Sequence, residues 1–155
     1  MIVNVLELEL EPTWREGPPG HRFTMRSPGS MLEAKLTGLS VYEVEPGQAT
    51  WPYHFELVEE EWLLVIAGEV ILRTPEGERA LRAGDVACFP AGPAGAHAVR
   101  NAGNVTARFA MPSSVARTGD GAVYPDSGKF VVRSGEFEHR GRLGDPVEYW
   151  DGEGA

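Results

Sequence analysis

Short apolar runs, cut by glycine and proline roughly every eight to twelve residues, run through most of the chain, and that spacing predicts an all-β sandwich or barrel. The runs place strands at Ile2–Leu10, His21–Met25, Leu36–Val44, Tyr53–Leu57, Glu61–Ala67, Val70–Thr74, Arg79–Arg82, Val86–Phe89, Ala96–Arg100, Ala107–Met111 and Lys129–Arg133. In the first of these, Ile2, Asn4, Leu6, Leu8 and Leu10 alternate with Val3, Val5, Glu7 and Glu9, the period-two pattern of a half-buried strand. Thr74-Pro75-Glu76-Gly77-Glu78 has the composition of a hairpin turn, with Gly77 free to take a positive φ, and Ala83-Gly84-Asp85 reads as another. No long stretch repeats at the helical period, and there is no internal repeat. Arg15–Gly20 is a loop, because Pro18-Pro19-Gly20 excludes regular structure. Arg117–Gly128 reads as irregular and leads into the tail YWDGEGA, whose Tyr149 and Trp150 call for cover from the barrel or from a partner copy.

Composition narrows the class. A chain of 155 residues suits one domain with a single core. Its 42% hydrophobic and 24% charged residues are those of a globular protein that dissolves in water. The longest apolar run, Trp62 to Gly68, is too short to cross a bilayer. The opening MIVNVLELELEP lacks a basic region and interrupts its apolar residues with Glu7 and Glu9, so a cytoplasmic location is expected. A net charge of −9 with scattered Lys and Arg argues against nucleic acid and anionic membrane as partners, since both require clustered positive charge. Cys88 is the only cysteine, which rules out an internal disulfide or a cysteine-based zinc site and reads as a small hydrophobe in a strand.

The candidate chemistry lies in two stretches. In Gly47–Gly68, GQATWPYHFELVEEEWLLVIAG, His54 and Glu56 stand two apart on a strand and leave the same face. After a turn at Val58–Glu60 in which Glu59 and Glu60 are expected to be solvated, Glu61 falls in phase with Leu63 and Val65. That places a carboxylate on a core-facing side, which is costly unless it is paired or bound to a cation. Tyr53 and Phe55 then point away from His54 and Glu56. In Gly84–Asn101, GDVACFPAGPAGAHAVRN, a short strand and a Pro/Gly-rich loop return the chain at His97, opposite His54 and Glu61. Tyr42, Trp51 and Arg100 are candidates for the mouth of a pocket there, and His21 and His139 carry no assigned chemistry. For each histidine the alternative is a hydrogen-bonded core residue.

These two stretches resemble the paired motifs of the cupin superfamily, G-x5-H-x-H-x3,4-E-x6-G and G-x5-P-x-G-x2-H-x3-N. His54, Glu61 and Gly68 match the first, and Gly84, Pro90, Gly92, His97 and Asn101 the second. YPDSGK (Tyr124–Lys129) and YWDGE (Tyr149–Glu153) are similar to tails in a subgroup of small bacterial cupins. The resemblance implies an all-β fold, the cupin double-stranded β-helix or jelly-roll barrel. It implies one cupin domain over 1–155, with a core at about 36–113, N-terminal strands in 1–35 and a C-terminal extension over 114–155.

In that family three histidines and a glutamate hold a divalent ion. Here Glu56 stands at the second histidine position, and two spacers are longer, by one residue before His54 and by two before His97. The resemblance therefore implies His54, Glu61 and His97 as ligands of manganese, iron, nickel or zinc. Glu56 is either a fourth ligand or a general base, or a polar barrel residue without either role. Asn101 is expected to bond backbone near the metal strand. Three functions fit: a metal-dependent enzyme on a small oxygen-rich or carbonyl compound, of isomerase, dioxygenase or decarboxylase type; a metal-free enzyme resembling sugar epimerases; and a non-catalytic module binding a small ligand. The resemblance also implies a homodimer.

Overall fold

The computed structural model describes residues 2–12, 17–116 and 118–153. Arg15 and Glu16 of the expected first loop, Arg117 and the last two residues of the tail lie outside the described residues. The strands are β1 (Glu11–Pro12), β2 (Thr24–Arg26), β3 (Thr37–Val44), β4 (Phe55–Glu56), β5 (Glu61–Ala67), β6 (Glu69–Thr74), β7 (Gly77–Arg82), β8 (Val86–Phe89), β9 (Ala98–Arg100), β10 (Ala107–Ser114), β11 (Asp120–Tyr124), β12 (Lys129–Ser134) and β13 (Phe137–Arg142). A one-turn helix, α1 (Pro28–Met31), precedes β3, and a 3-10 turn at Pro93–Gly95 precedes β9.

The strands form two facing walls. One is a six-stranded sheet in the order β1-β2-β3-β10-β5-β8. The other joins the sheet β7-β6-β9 to the sheet β13-β12-β11-β4 through an antiparallel bridge between His54 and His97. Every ladder is antiparallel, and the walls close as the expected jelly roll. Leu63, Val65, Val70, Leu72, Val99 and Phe109 fill the space between them. Along β5 the inward positions run Glu61, Leu63, Val65. The core thus occupies one end of the barrel and Glu61 opens the other, while Trp62 and Leu64 face out as the alternation requires.

β5 and β8 keep the bounds that alternation assigned. The turn after β6 forms as expected, with Gly77 at φ +117°. Gly68 has φ +74°, and a Cβ there would stand 2.9 Å from the Cα of Ala107, so the close passage of the β5–β6 turn against β10 demands glycine. Asn101 donates from Nδ2 to the carbonyls of Val44 and Val105 (2.7 and 2.8 Å) and accepts from the Gly103 amide, tying the end of β9 to the end of β3.

Four expectations need correction. Ile2–Leu10 forms no strand. Asn4 instead turns the chain, its side chain accepting from the Leu6 amide and its carbonyl from the Glu7 amide. Ile2 and Leu6 are 97% and 63% exposed, and Arg108 holds the segment through the carbonyls of Val5 and Leu8. Within Arg117–Gly128, expected to be irregular, Asp120–Tyr124 is a full strand paired to both β4 and β12. Tyr149 and Trp150 do not pack on the barrel. They meet each other edge-on, and Tyr149 remains 84% exposed. Cys88 is in a strand but on its outer, exposed face, opposite Trp62.

Candidate metal centre and pocket

Backbone pairing brings the two histidines together. His54 and His97 exchange both backbone hydrogen bonds, amide to carbonyl at 3.1 and 2.8 Å. Directly opposite residues of an antiparallel pair send their side chains to one face, and the two rings stand 4.9 Å apart. The loop that delivers His97 depends on Gly95, where a Cβ would fall 1.8 Å from the Pro90 carbonyl oxygen. Glu61 enters from the opposite wall. Its neighbour across the ladder is Phe89, and the His97 ring stacks on Phe89 at 3.9 Å with an interplanar angle of 10°.

The imidazoles are oriented by backbone. The Nδ1 of His54 bonds the Pro52 carbonyl (2.8 Å) and that of His97 the Gly95 carbonyl (2.9 Å). A carbonyl only accepts, so each Nδ1 carries the hydrogen, and in the neutral ring Nε2 is a bare lone pair. Both Nε2 atoms face carboxylates: His97 lies 3.5 Å from Glu61 Oε2, and His54 lies 3.5 Å from Glu56 Oε1. These separations exceed a charge-assisted hydrogen bond and approach the roughly 3.0–3.4 Å between adjacent ligands on an ion with bonds of about 2.1 Å.

Ligand atoms of His54, Glu61 and His97 all lie within 4.8 Å of one another. Oε2 of Glu61 and Oε2 of Glu56 are buried without a hydrogen-bond partner, which leaves costly orphans that a cation or a ligand would satisfy. The three-residue donor set thus fits a divalent ion. Glu56 touches His54 but is not one of the three.

Burial and mutual charge tune these groups. Desolvation pushes the Glu61 carboxyl up to about 7, against the pull of His54. Burial and the charge of His54 push His97 down to about 4. Burial also disfavours the His54 imidazolium, but Glu56 and Glu61 outweigh it and the pKa rises. Desolvation raises Tyr42 and Glu59 as well.

The donors sit in a cavity of about 260 Å³ whose walls include Tyr42, Trp51, Met25, Met111, Tyr124 and Arg133. Tyr42 and Trp51 were expected at its mouth. Arg100, the third candidate, instead faces a separate cavity and pairs with Glu78. Tyr53 also belongs to that second cavity, in line with the alternation. Glu59 departs from a purely solvated turn, because it is half-buried and accepts from the Ala116 amide (2.8 Å). Sequence reasoning missed Tyr124, which stacks on His54 at 5.6 Å, and Arg133. For Arg133 a signal existed: Lys129, Val131 and Arg133 alternate on an expected strand, so the arginine shares the inward face of buried Val131.

Residues 40–112 match the family model described as Cupin domain. No curated protein matches the chain. Among solved structures, the fold is similar to a protein of Acidithiobacillus ferrooxidans assigned as a sugar phosphate isomerase (22% identity, 93% of each chain covered, TM-score 0.81). It is also similar to a sugar phosphate isomerase of the cupin superfamily from Silicibacter pomeroyi (21% identity, 96% of this chain and 98% of that one, TM-score 0.80). The Bacillus subtilis oxalate decarboxylase, a protein with Mn(II) centres, matches at 25% identity over 75% of this chain and 30% of that longer one, with a TM-score of 0.53. Motif residues, jelly-roll walls and family match agree: residues 40–112 of this chain are similar to the Cupin domain, and the fold is that of the cupin structures it matches.

Proposed function

We propose that this protein is a metal-dependent enzyme that moves a proton on a small carbonyl or polyhydroxy compound, an isomerase-type reaction. The observation that carries this reading is the donor set: two imidazoles locked by backbone carbonyls with Nε2 facing inward, one carboxylate from the opposite wall, and all three within 4.8 Å. Residues His54, Glu61 and His97 would hold the ion, and manganese, iron, nickel and zinc all accept such a set. When bound, the ion supplies Lewis acidity toward a carbonyl or hydroxyl oxygen.

The chain's own residues account for the rest. Glu56 lies beside the cluster rather than in it, with Oε2 buried and unpartnered, which supports a role in taking a proton from a substrate carbon and returning it. Tyr42, Trp51 and Tyr124 give the cavity rigid aromatic walls that hold the substrate against Glu56 and displace water. At about 260 Å³ the space is below the roughly 300–1,000 Å³ of drug-sized pockets, which points to a small compound. The same reaction class is assigned to the two isomerases that share the fold.

Two measurements test this. Elemental analysis of protein purified without a histidine tag is expected to find close to one equivalent of a divalent metal, with a thermal shift on adding Mn, Fe, Ni, Co or Zn. Less than about a tenth of an equivalent together with no thermal shift rejects the metal. Solvent deuterium wash-in to a panel of small aldoses and ketoses is expected and should stop with chelator. Wash-in that survives chelator moves the assignment to a metal-free epimerase-like enzyme, and a compound that binds tightly but emerges unchanged moves it to a binding module. Self-association is part of the same proposal. Trp62, Leu64 and Val86 leave an apolar strip on the outer face of β5 and β8 that a second copy would cover, and a monomer by light scattering rejects it.

A further inference from the structure

We infer that Arg133, at the head of a cationic ledge on β12 and β13, is an anion-recognition site for the substrate, so that the compound carries a phosphate or carboxylate group. The inference rests on the proposed function above for the identity of the pocket.

Register shows how the ledge is built. Glu56 pairs with Ala122 on β11, and Ala122 with Val131 on β12, so these side chains share one face. Ala122 and Val131 are buried, which makes it the inner face. Stepping by two along β12 puts Lys129 and Arg133 on that face, and pairing across to β13 adds Glu138, Arg140 and Arg142. Four cations and one carboxylate therefore occupy these positions, in a chain whose net charge is −9. On β11, Asp120 stands opposite Arg133. Glu138 bridges Arg133 and Arg140, accepting from Arg133 Nε at 3.0 Å, and so fixes the guanidinium by its stem side. Lys129 is held over the Tyr124 ring at 4.0 Å.

Arg133 is the one member of the ledge that reaches the cavity wall, and among the described residues it is the only permanent cation lining it. The same cavity is lined by Glu56 and Glu61. An anionic group placed beside them would be repelled, whereas at the Arg133 end it meets a planar fork that pairs with carboxylate or phosphate oxygens. A two-ended substrate follows: a carbonyl or hydroxyl toward His54, Glu61 and His97, and an anion toward β12.

The test is calorimetric titration of the protein as purified, at fixed ionic strength, with inorganic phosphate and separately with acetate. Wild type, Arg133→Gln, Arg133→Lys and the distant surface change Arg79→Gln are compared, with metal content measured on the same samples. Saturable binding of one anion is expected in the wild type. It should weaken at least about tenfold in Arg133→Gln and less in Arg133→Lys, and change by less than about twofold in Arg79→Gln. Preference for phosphate or for acetate identifies the substrate's anionic group. No saturable binding of either anion, or equal behaviour of Arg133→Gln and Arg79→Gln, overturns the inference. Metal without Arg133-dependent binding leaves the metal reading standing alone, and Arg133-dependent binding without metal leaves the anion site standing alone.

Discussion

The two sides of the pocket are built differently. Glu61 lies on β5, a strand of seven residues paired on both sides, by β10 and by β8. His97 reaches this side from the facing wall, where it is 3% exposed and stacked on Phe89 of β8. Glu56 lies on β4, two residues long, whose support comes from β11 and the C-terminal hairpin. Tyr124 and Arg133 belong to that same side. The contrast is one of support: Glu61 and His97 are held by well-paired or stacked neighbours of the central strands, whereas Glu56, Tyr124 and Arg133 depend on the C-terminal hairpin.

Changing one side at a time tests that contrast. Glu56→Gln, which keeps shape and removes the base, should lower turnover in the deuterium wash-in assay by about 10²–10⁴-fold while metal content stays at the wild-type level. Loss of the metal along with activity would move Glu56 into the ligand set. His97→Ala attacks the His54, Glu61 and His97 cluster instead. Apparent Mn(II) affinity, read from free Mn(II) by electron paramagnetic resonance, should fall by more than about 100-fold, since even supporting residues around a metal are worth roughly 10–100-fold.

A smaller effect comes from pH. Raised to about 7 by burial, Glu61 lends stability to the metal-free fold below the ordinary carboxyl range, and this is lost as pH rises through about 7. His97, lowered to about 4, acts in the opposite sense, its contribution present above the ordinary histidine value and lost as pH falls toward about 4. A bound cation must displace the Glu61 proton, so apparent Mn(II) affinity should fall by about tenfold per pH unit below about 7. A flat affinity profile from about pH 6 to about pH 8 would show that Glu61 is no ligand.

The smallest change expected is at the rim. Asp126, in the turn between β11 and β12, takes two hydrogen bonds from Arg73 at 2.6 and 2.8 Å, and Arg73 in turn lies over Tyr53. The pair is exposed, so Asp126→Ala should cost about 0.5 kcal/mol in denaturant unfolding and leave metal affinity unaltered. A loss of metal would mean that the two sides of the pocket are coupled.

Strand assignment from pattern succeeded where a run has one dry face and one wet face. β5 is the clearest case, with Leu63 and Val65 buried and Trp62 and Leu64 outside. It failed for Ile2–Leu10, which alternates equally well but finds no strand partner and is turned by Asn4. It failed in the other direction for β13, FEHRGR, an edge strand whose side chains are mostly exposed and which therefore carries no apolar period. The cluster of His54, Glu61 and His97 was legible because two motifs mark it. Arg133 was legible only as an inward position of β12, by its alternation with Val131, and nothing local says that this face of β12 lines the same cavity as His54 and Glu61.

The sequence alone determined the all-β class and the bounds of β5 and β8, because strand periodicity and turn glycines act over a few residues, and its resemblance to the cupin motifs singled out His54, Glu61 and His97. Only the tertiary structure decided that His54 and His97 pair directly, that Glu56 stands beside the cluster, and that the C-terminal hairpin closes one wall with Tyr124 and Arg133. Those facts depend on register between strands far apart in the chain, and register is settled by which faces can be buried together.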